Sequence, residues 1–115
     1  MKDKEKQQII EMYEYYNYRC LIPWCKEMAT QRAHIIGNTK MNRNIYGSEI
    51  IDNILNWLPA CSLEHNALID IGMDSIRVET IATIIEDIHD KTEARELIEN
   101  VVQLNIRRKR SKHER

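Results

Sequence analysis

The stretch that decides the fold runs from Cys20 to Asp70 and contains three metal-rich segments. They are Cys20-Leu-Ile-Pro-Trp-Cys25, Arg32-Ala-His-Ile-Ile36 and Asn56-Trp-Leu-Pro-Ala-Cys61-Ser-Leu-Glu-His65-Asn66. All three cysteines of the 115-residue chain, both tryptophans and two of the four histidines lie in this stretch. A chain this short does not need so many metal-capable side chains for packing alone, so we expect the stretch to fold around a metal ion.

Four of these side chains have the chemistry and spacing of a zinc site. Cys20 and Cys25 flank a turn broken by Pro23, and such a Cys-x4-Cys knuckle supplies two thiolates. Cys61 and His65 are four residues apart, so on a helix they share one face. Four thiolate and imidazole ligands close the tetrahedral shell of Zn²⁺, which predicts a structural site. The alternative for the knuckle is a pair of buried thiols.

A second set of side chains suits a catalytic metal ion. Asn66 and Asp70 are also four residues apart, and their face lies about 100° around the helix from that of Cys61 and His65. Amide and carboxylate oxygens suit Mg²⁺ or Mn²⁺. His34, at the end of a strand packed on that helix, can act as general base for a water molecule. The alternatives are exposed polar side chains at Asn66 and Asp70 and a structural histidine at His34.

The hydrophobic pattern predicts an α+β fold. The predicted helices cover residues 3–17, 61–71, 75–88 and 91–106. A strand is expected over 31–36 and a short extended segment within 50–55, while 19–30 and 40–47 are expected to be connections. Pro59 is expected to block a central strand, and Gly47 and Gly72 to end helices.

The helices carry apolar stripes that predict which side chains are buried. The first helix is expected to dock on the core rather than to stack on bases, and its stripe is Ile9, Met12, Tyr13 and Tyr16. The 75–88 stripe is Ile76, Val78, Ile81, Ile84, Ile85 and Ile88, and the 91–106 stripe is Leu97, Ile98, Val101 and Leu104. The remaining histidines, His89 and His113, have no partner at ligand spacing and are expected on the surface.

Length and charge indicate one domain, 1–115, made of a core (19–72), a helical extension (75–106) and a basic tail (107–115). The last nine residues carry six Lys or Arg and one Glu, a net charge of +5, whereas the other 106 carry −6. Any attraction to phosphate is therefore expected to be local, at the tail and at Lys40 and Arg43, unless the tail only aids solubility.

The N-terminal segment has no apolar h-region, and no apolar run approaches the roughly 18 residues of a membrane span. We therefore expect a cytoplasmic protein that does not contact membranes. In that compartment, closely spaced cysteines favour metal binding over disulfides.

The motifs resemble those of the HNH endonucleases, whose core is the ββα-metal fold. In order they are Cys-x4-Cys, Ala-His, Lys-x-Asn-x3-Tyr-Gly, Asn-x4-Cys and Cys-x3-His-Asn. They are most similar to small HNH-type proteins of bacteria and their phages. The resemblance covers about residues 19–72, and it implies a ββα-metal core with zinc knuckles, flanked by an N-terminal helix and two C-terminal helices.

By position, His34 resembles the general base of the family, and Asn56 resembles the motif Asn that pins the loop between strand and helix. Asn66 resembles the third motif residue, a metal ligand. Two positions depart from the family pattern: Ala33 stands where a metal-binding Asp or His is common, and His65 where zinc is usually held by Cys. If the helix is aligned one residue back, His65 becomes the catalytic-metal ligand and zinc keeps three cysteines.

The resemblance implies a metal-dependent endonuclease that hydrolyses DNA phosphodiester bonds, with structural Zn²⁺ and catalytic Mg²⁺ or Mn²⁺. Ala33 favours a second hypothesis, a zinc-stapled nucleic-acid-binding or adaptor protein with weakened catalysis. A third is a protein-interaction module that binds a partner through the 75–106 helices, as part of a phage or host complex.

Overall fold

The computed structural model describes residues 2–113, with side chains through Arg110, and these form a small α+β domain. The helices are α1 (Asp3–Tyr15), α2 (Lys40–Tyr46), α3 (Ser48–Ile51), α4 (Leu63–Ile69), α5 (Ser75–Asp87) and α6 (Lys91–His113). The strands are β1 (Gln31–His34) and β2 (Trp57–Ala60), and a 3-10 turn, Ile54–Asn56, precedes β2. The predicted α+β class is confirmed at this level.

The sheet pairs β1 and β2 antiparallel, with His34 opposite Trp57 and Arg32 opposite Pro59. Pro59 is predicted to block a central strand, and β2, which passes through Pro59, is an edge strand of this two-stranded sheet. Its carbonyl accepts from the amide of Leu21 (2.9 Å), so the polar edge of Pro59 points away from β1. Because N–H and C=O of one residue point the same way in an antiparallel pair, the missing proline N–H costs the β1–β2 ladder no bond.

The segment between the strands is helical where a connection and an extended segment were expected. The Thr39 hydroxyl accepts from the amide of Asn42 (3.1 Å) and so caps α2. Gly47, at φ +86°, ends α2 as predicted. Ile50 and Ile51 are buried from the short helix α3, because an apolar pair fits a helical turn as well as a strand.

The remaining boundaries are close to those predicted. Tyr15 ends α1 two residues early, and Ile69 ends α4 before Gly72 is reached. Ser62 caps α4 as expected, since its hydroxyl accepts from the amide of His65 (3.2 Å). Asp90 likewise accepts from the amide of Glu93 (3.0 Å) at the start of α6.

The core lies between the sheet and the helices, and α6 faces it with a stripe that includes the predicted Ile98, with Val101 packed against it, but not the predicted leucines. Its fully buried apolar residues are Ala94, Ile98, Val102 and Ile106. Leu97 and Leu104, expected in the core, are 39% and 58% exposed, and Ile76 on α5 is 77% exposed. Ala94 is less hydrophobic than Leu97 and Leu104, so hydrophobicity alone favours a stripe through the two leucines.

The basic tail continues α6 as far as His113, and Arg108, Lys109 and Arg110 contact the domain. Lys109 Nζ donates to the carbonyls of Ala67 (2.8 Å) and Asp70 at the end of α4. Arg108 pairs with Asp74 (3.3 Å), and the guanidinium of Arg110 lies 4.2 Å from the ring centre of Trp24. His89 is exposed as predicted, whereas the His113 side chain and residues 114–115 lie outside the described residues.

Candidate metal centre and the His34 cavity

Cys20, Cys25, Cys61 and His65 converge at one point. Their ligand atoms all lie within 4.8 Å of one another. The Nδ1 atom of His65 is 3.2 Å from Cys61 Sγ and 3.5 Å from Cys20 Sγ, and Cys25 Sγ is 3.6 Å from Cys61 Sγ. Ligands about 2.0–2.3 Å from a tetrahedral Zn²⁺ are about 3.5–3.8 Å apart, so these residues can hold a metal such as zinc.

Backbone hydrogen bonds hold the two halves of this centre in place. In the first half, the amide of Cys20 donates to the carbonyl of Glu27 (3.1 Å), and the amide of Cys25 donates to that of Ile22 (3.0 Å). In the second half, the hydroxyl of Thr30 donates to the carbonyl of Cys61 (3.0 Å). The ligands are therefore brought together by the sheet and the start of α4.

The chemistry of the donor set also favours a cation. The pKa of the Cys20 thiol is raised to about 11, chiefly by burial and in smaller part by the neighbouring sulfur atoms of Cys61 and Cys25. A raised pKa means that the protonated thiol is favoured when no cation is bound. A bound cation reverses this preference, because zinc binds the thiolate and the proton is released. Two knuckles joined through one ion would tie the 19–28 loop to α4.

Asn56 is fully buried and links the end of β1 to the 3-10 turn. Its Oδ1 accepts from the amide of Ile36 (2.8 Å). Its Nδ2 donates to the carbonyls of Ile36 and Ile51, both at 3.1 Å. Asn56 thus fixes the backbone two residues after His34, a geometry that suits the loop-pinning role predicted for it.

His34 opens into a cavity of about 920 Å³ on the face of the sheet that packs against α1. Its ring meets the Trp57 ring edge-on at 6.4 Å between centroids. The cavity is lined by five cationic and three acidic side chains, Lys2, Lys4, Arg32, Arg43 and Lys91 against Glu5, Glu49 and Asp52. This local excess of positive charge contrasts with the chain's net charge of −1.

The surroundings of His34 lower its pKa and so favour the neutral form of its imidazole. Burial lowers its pKa from 6.5, and the charges of Arg32 and Arg43 lower it further, whereas Asp52 and Asp70 oppose the shift. A neutral imidazole can accept a proton, which a general base requires.

Asn66 is not brought together with His34, and Asp70 lies near enough to influence the His34 pKa without lining its cavity. Side chains alternate along β1, and Asn66 Nδ2 donates to Gln31 (3.2 Å), whereas His34 lies on the other face with Arg32 and Trp57. The Asp70 carboxylate accepts from the amide of Gly72 (2.7 Å). Neither residue lines the His34 cavity.

The face of β1 toward α4 does not fit a catalytic divalent ion. Ala33 lies there and is fully buried, as is Ile69 of α4, so a methyl group stands at the position where a metal-binding side chain would be needed. Among the described residues, the Cys/His cluster is the one group of three or more His, Cys, Asp or Glu side chains close enough to hold an ion. The roles suggested for Asn66 and Asp70 therefore remain predictions.

Several residues at the His34 cavity were not anticipated from the sequence. The first turn of α1 reaches it because Glu5 pairs with Arg32 (2.8 Å), the residue two before His34. Arg43 was expected to meet phosphate, but both terminal nitrogens of its guanidinium donate to Asp52 (3.0 and 2.6 Å). These pairs join residues at least nine positions apart in the chain, so the local sequence pattern does not predict them.

Comparison of the chain with family models, curated proteins and solved structures found no match. None of the helices within residues 2–113 is long and apolar enough to cross a membrane.

Proposed function

We propose that this protein is a small HNH-type endonuclease that hydrolyses DNA phosphodiester bonds, with a zinc-stapled ββα-type core. The observation that carries the proposal is the placement of His34, a half-buried imidazole that faces a cavity with more cationic than acidic side chains and whose pKa is lowered by burial. The motif Asn56 fixes the adjoining backbone, and the Cys/His centre ties the sheet to α4. These three features support the roles that the sequence resemblance implies: a general base at His34, a loop-fixing Asn at position 56 and a structural zinc site at the Cys/His centre.

In the proposed frame Cys20, Cys25, Cys61 and His65 hold one structural Zn²⁺. The set fits zinc in ligand type, number and spacing, and it leaves no open position for substrate. The ion would contribute folding free energy, because the loop over residues 19–30 contains little secondary structure of its own.

In the proposed reaction, His34 accepts a proton from a water molecule whose oxygen attacks the phosphorus atom of a DNA phosphodiester. The bond from phosphorus to the leaving oxygen breaks, and that oxygen takes up a proton from solvent. Cationic side chains around His34 stabilise the charge on the phosphoryl oxygens.

A plasmid-nicking assay tests this function. Zinc-loaded wild type is expected to nick supercoiled DNA in a series of buffers with no added divalent ion, with Mg²⁺ or with Mn²⁺. His34→Ala should lower the rate by about 10²–10⁴-fold, the usual contribution of a general base. His89→Ala removes an exposed histidine and is the matched control. Equal inactivity of wild type and His34→Ala in all buffers, with DNA still bound, would refute the nuclease.

That last result would favour the second hypothesis, a zinc-stapled module that binds nucleic acid without cleaving it. The buried methyl group of Ala33 supports this hypothesis, because it replaces a metal-binding side chain common in the family. Binding with no cleavage in any buffer is the outcome that it predicts.

A protein partner on the 75–106 helices is a third hypothesis, and the exposed apolar side chains of Ile76 and Leu104 favour it. Both line a shallow cavity between α5 and α6. A partner captured from nuclease-treated lysate by wild type, and lost with Ile76→Glu, would support this hypothesis. Unchanged capture by Ile76→Glu would exclude this surface.

A further inference from the structure

We infer that the first turn of α1 is part of the DNA-binding site, and that Lys2 and Lys4 hold backbone phosphates at the His34 cavity without a divalent ion. The inference rests on the proposed function because it concerns the same cavity. It extends that function to a helix outside the region of HNH resemblance, and to charge neutralisation by side chains in place of a metal.

The ion pairs at the cavity determine which cations are available to a ligand. Arg32 is held by Glu5 (2.8 Å) and Arg43 by Asp52 (2.6 Å). Both guanidiniums are thereby fixed in position and largely neutralised. They form the floor of the cavity and contribute little net charge toward an incoming phosphate.

The lysines provide the remaining positive charge. Lys2 and Lys4 are exposed, and within residues 2–113 their side chains make no hydrogen bond or ion pair. Lys91 lies on the same cavity, 4.0 Å from Glu11 at a 65% exposed position. The two unpaired ammonium groups of Lys2 and Lys4, with that of Lys91 on the same cavity, suit the phosphates of a nucleic-acid backbone, which are spaced along a strand and need no fixed geometry.

The Glu5–Arg32 pair gives this arrangement its position. Arg32 lies opposite Pro59 in the sheet, and its guanidinium also stacks 4.5 Å from the centre of the Trp57 ring. Glu5 therefore fastens the first turn of α1 to the strand that carries His34. Phosphates bound by Lys2 and Lys4 would lie beside the imidazole rather than on a separate surface.

The absence of suitable hard ligands supports charge neutralisation by lysine. Ala33 is buried in the core, and the carboxylate of Asp52 already accepts two hydrogen bonds from Arg43. Glu49 is the one acidic side chain lining the cavity that has no ion pair with the described residues. One free carboxylate is at the lower end of the one or two that usually hold Mg²⁺ together with substrate phosphates, whereas the lysines at the rim supply positive charge that attracts phosphate.

The test is the salt dependence of binding to a fluorescent DNA duplex in buffer freed of divalent ions, with zinc content per chain measured in each sample. Wild type is expected to bind, and millimolar Mg²⁺ should not strengthen binding. The slope of log K against log salt should become about 2 units shallower in Lys2→Gln/Lys4→Gln, since each phosphate contact contributes about 0.9. Lys6→Gln/Lys26→Gln removes the same charge from exposed positions off the cavity and should leave the slope nearly unchanged.

Binding that requires Mg²⁺, or equal slopes for the two double variants, would overturn the inference. Plasmid nicking measured in parallel separates this failure from failure of the proposed function. Cleavage with equal slopes would refute the lysine site and leave the nuclease standing. The expected slopes without cleavage would support the lysine site and refute the nuclease.

Discussion

Replacement of Asn56 by alanine tests how the end of β1 is held. The Ile51 carbonyl keeps a partner in this variant, because Trp57 Nε1 also donates to it (3.3 Å). The amide and the carbonyl of Ile36 both lose their partner in the buried interior. Two orphaned buried groups at about 1–3 kcal/mol each put the loss of unfolding free energy at about 2–6 kcal/mol. That is a large fraction of the 5–15 kcal/mol typical of a domain.

Urea unfolding of the zinc-loaded protein measures this loss. The unfolding free energy falls by about 1–3 kcal/mol per molar urea, so a loss of about 4 kcal/mol should lower the urea midpoint by roughly 2 M. Asn53→Ala is the control, because Asn53 Oδ1 accepts a single local bond from the amide of Leu55 (2.9 Å) and the change should cost about 1 kcal/mol. An Asn56→Ala protein within 1 kcal/mol of wild type, at equal zinc content, would refute the assignment of Asn56 as the pin.

Three further outcomes follow from the same structure. Cys61→Ser should lose zinc and cooperative unfolding together, as measured by metal analysis and calorimetry; retention of a sharp transition without zinc would contradict the stapled frame. The cleavage rate should be flat near neutral pH and should fall as the pH decreases through a pKa below 6.5. The reason is that burial lowers the pKa of His34, and only the neutral imidazole accepts a proton. A half-maximal rate above pH 6.5 would exclude His34 as the base. Lys109→Met should lower the unfolding free energy measured in urea by about 1–2 kcal/mol, since the Lys109 ammonium donates to carbonyls at the end of α4. Arg107→Met, at an exposed position, should change the unfolding free energy little. Equal effects of the two variants would argue that Lys109 does not cap α4.

The zinc ligand set could be predicted because its signal is local and chemical. Cys20 and Cys25 are close in sequence, as are Cys61 and His65, and few ligand combinations suit zinc so well. The helix boundaries followed from capping residues such as Ser62 and Asp90, which act within one turn. Such features depend on neighbours in the chain and can be recognised without tertiary structure.

The His34 cavity could not be predicted because it depends on long-range pairing. The face of β1 that carries His34 is set by its register with β2, and a shift by one residue would turn His34 toward α4. The sequence hypothesis has His34 at the end of a strand packed on the helix that carries Asn66, and a shared site would require the His34 side chain to face that helix. The ion pair of Glu5 with Arg32, which brings α1 to the cavity, has no signal in either segment alone.

The central claim is that a zinc ion bound by the Cys/His centre fixes the sheet against α4. X-ray absorption at the zinc edge tests this claim most directly, when it is combined with metal stoichiometry from native mass spectrometry. We expect one zinc per chain with three sulfur ligands at about 2.3 Å and one nitrogen at about 2.0–2.1 Å, as Cys20, Cys25, Cys61 and His65 would supply. A folded, metal-free protein, or a zinc shell with oxygen in place of the histidine nitrogen, would contradict the account.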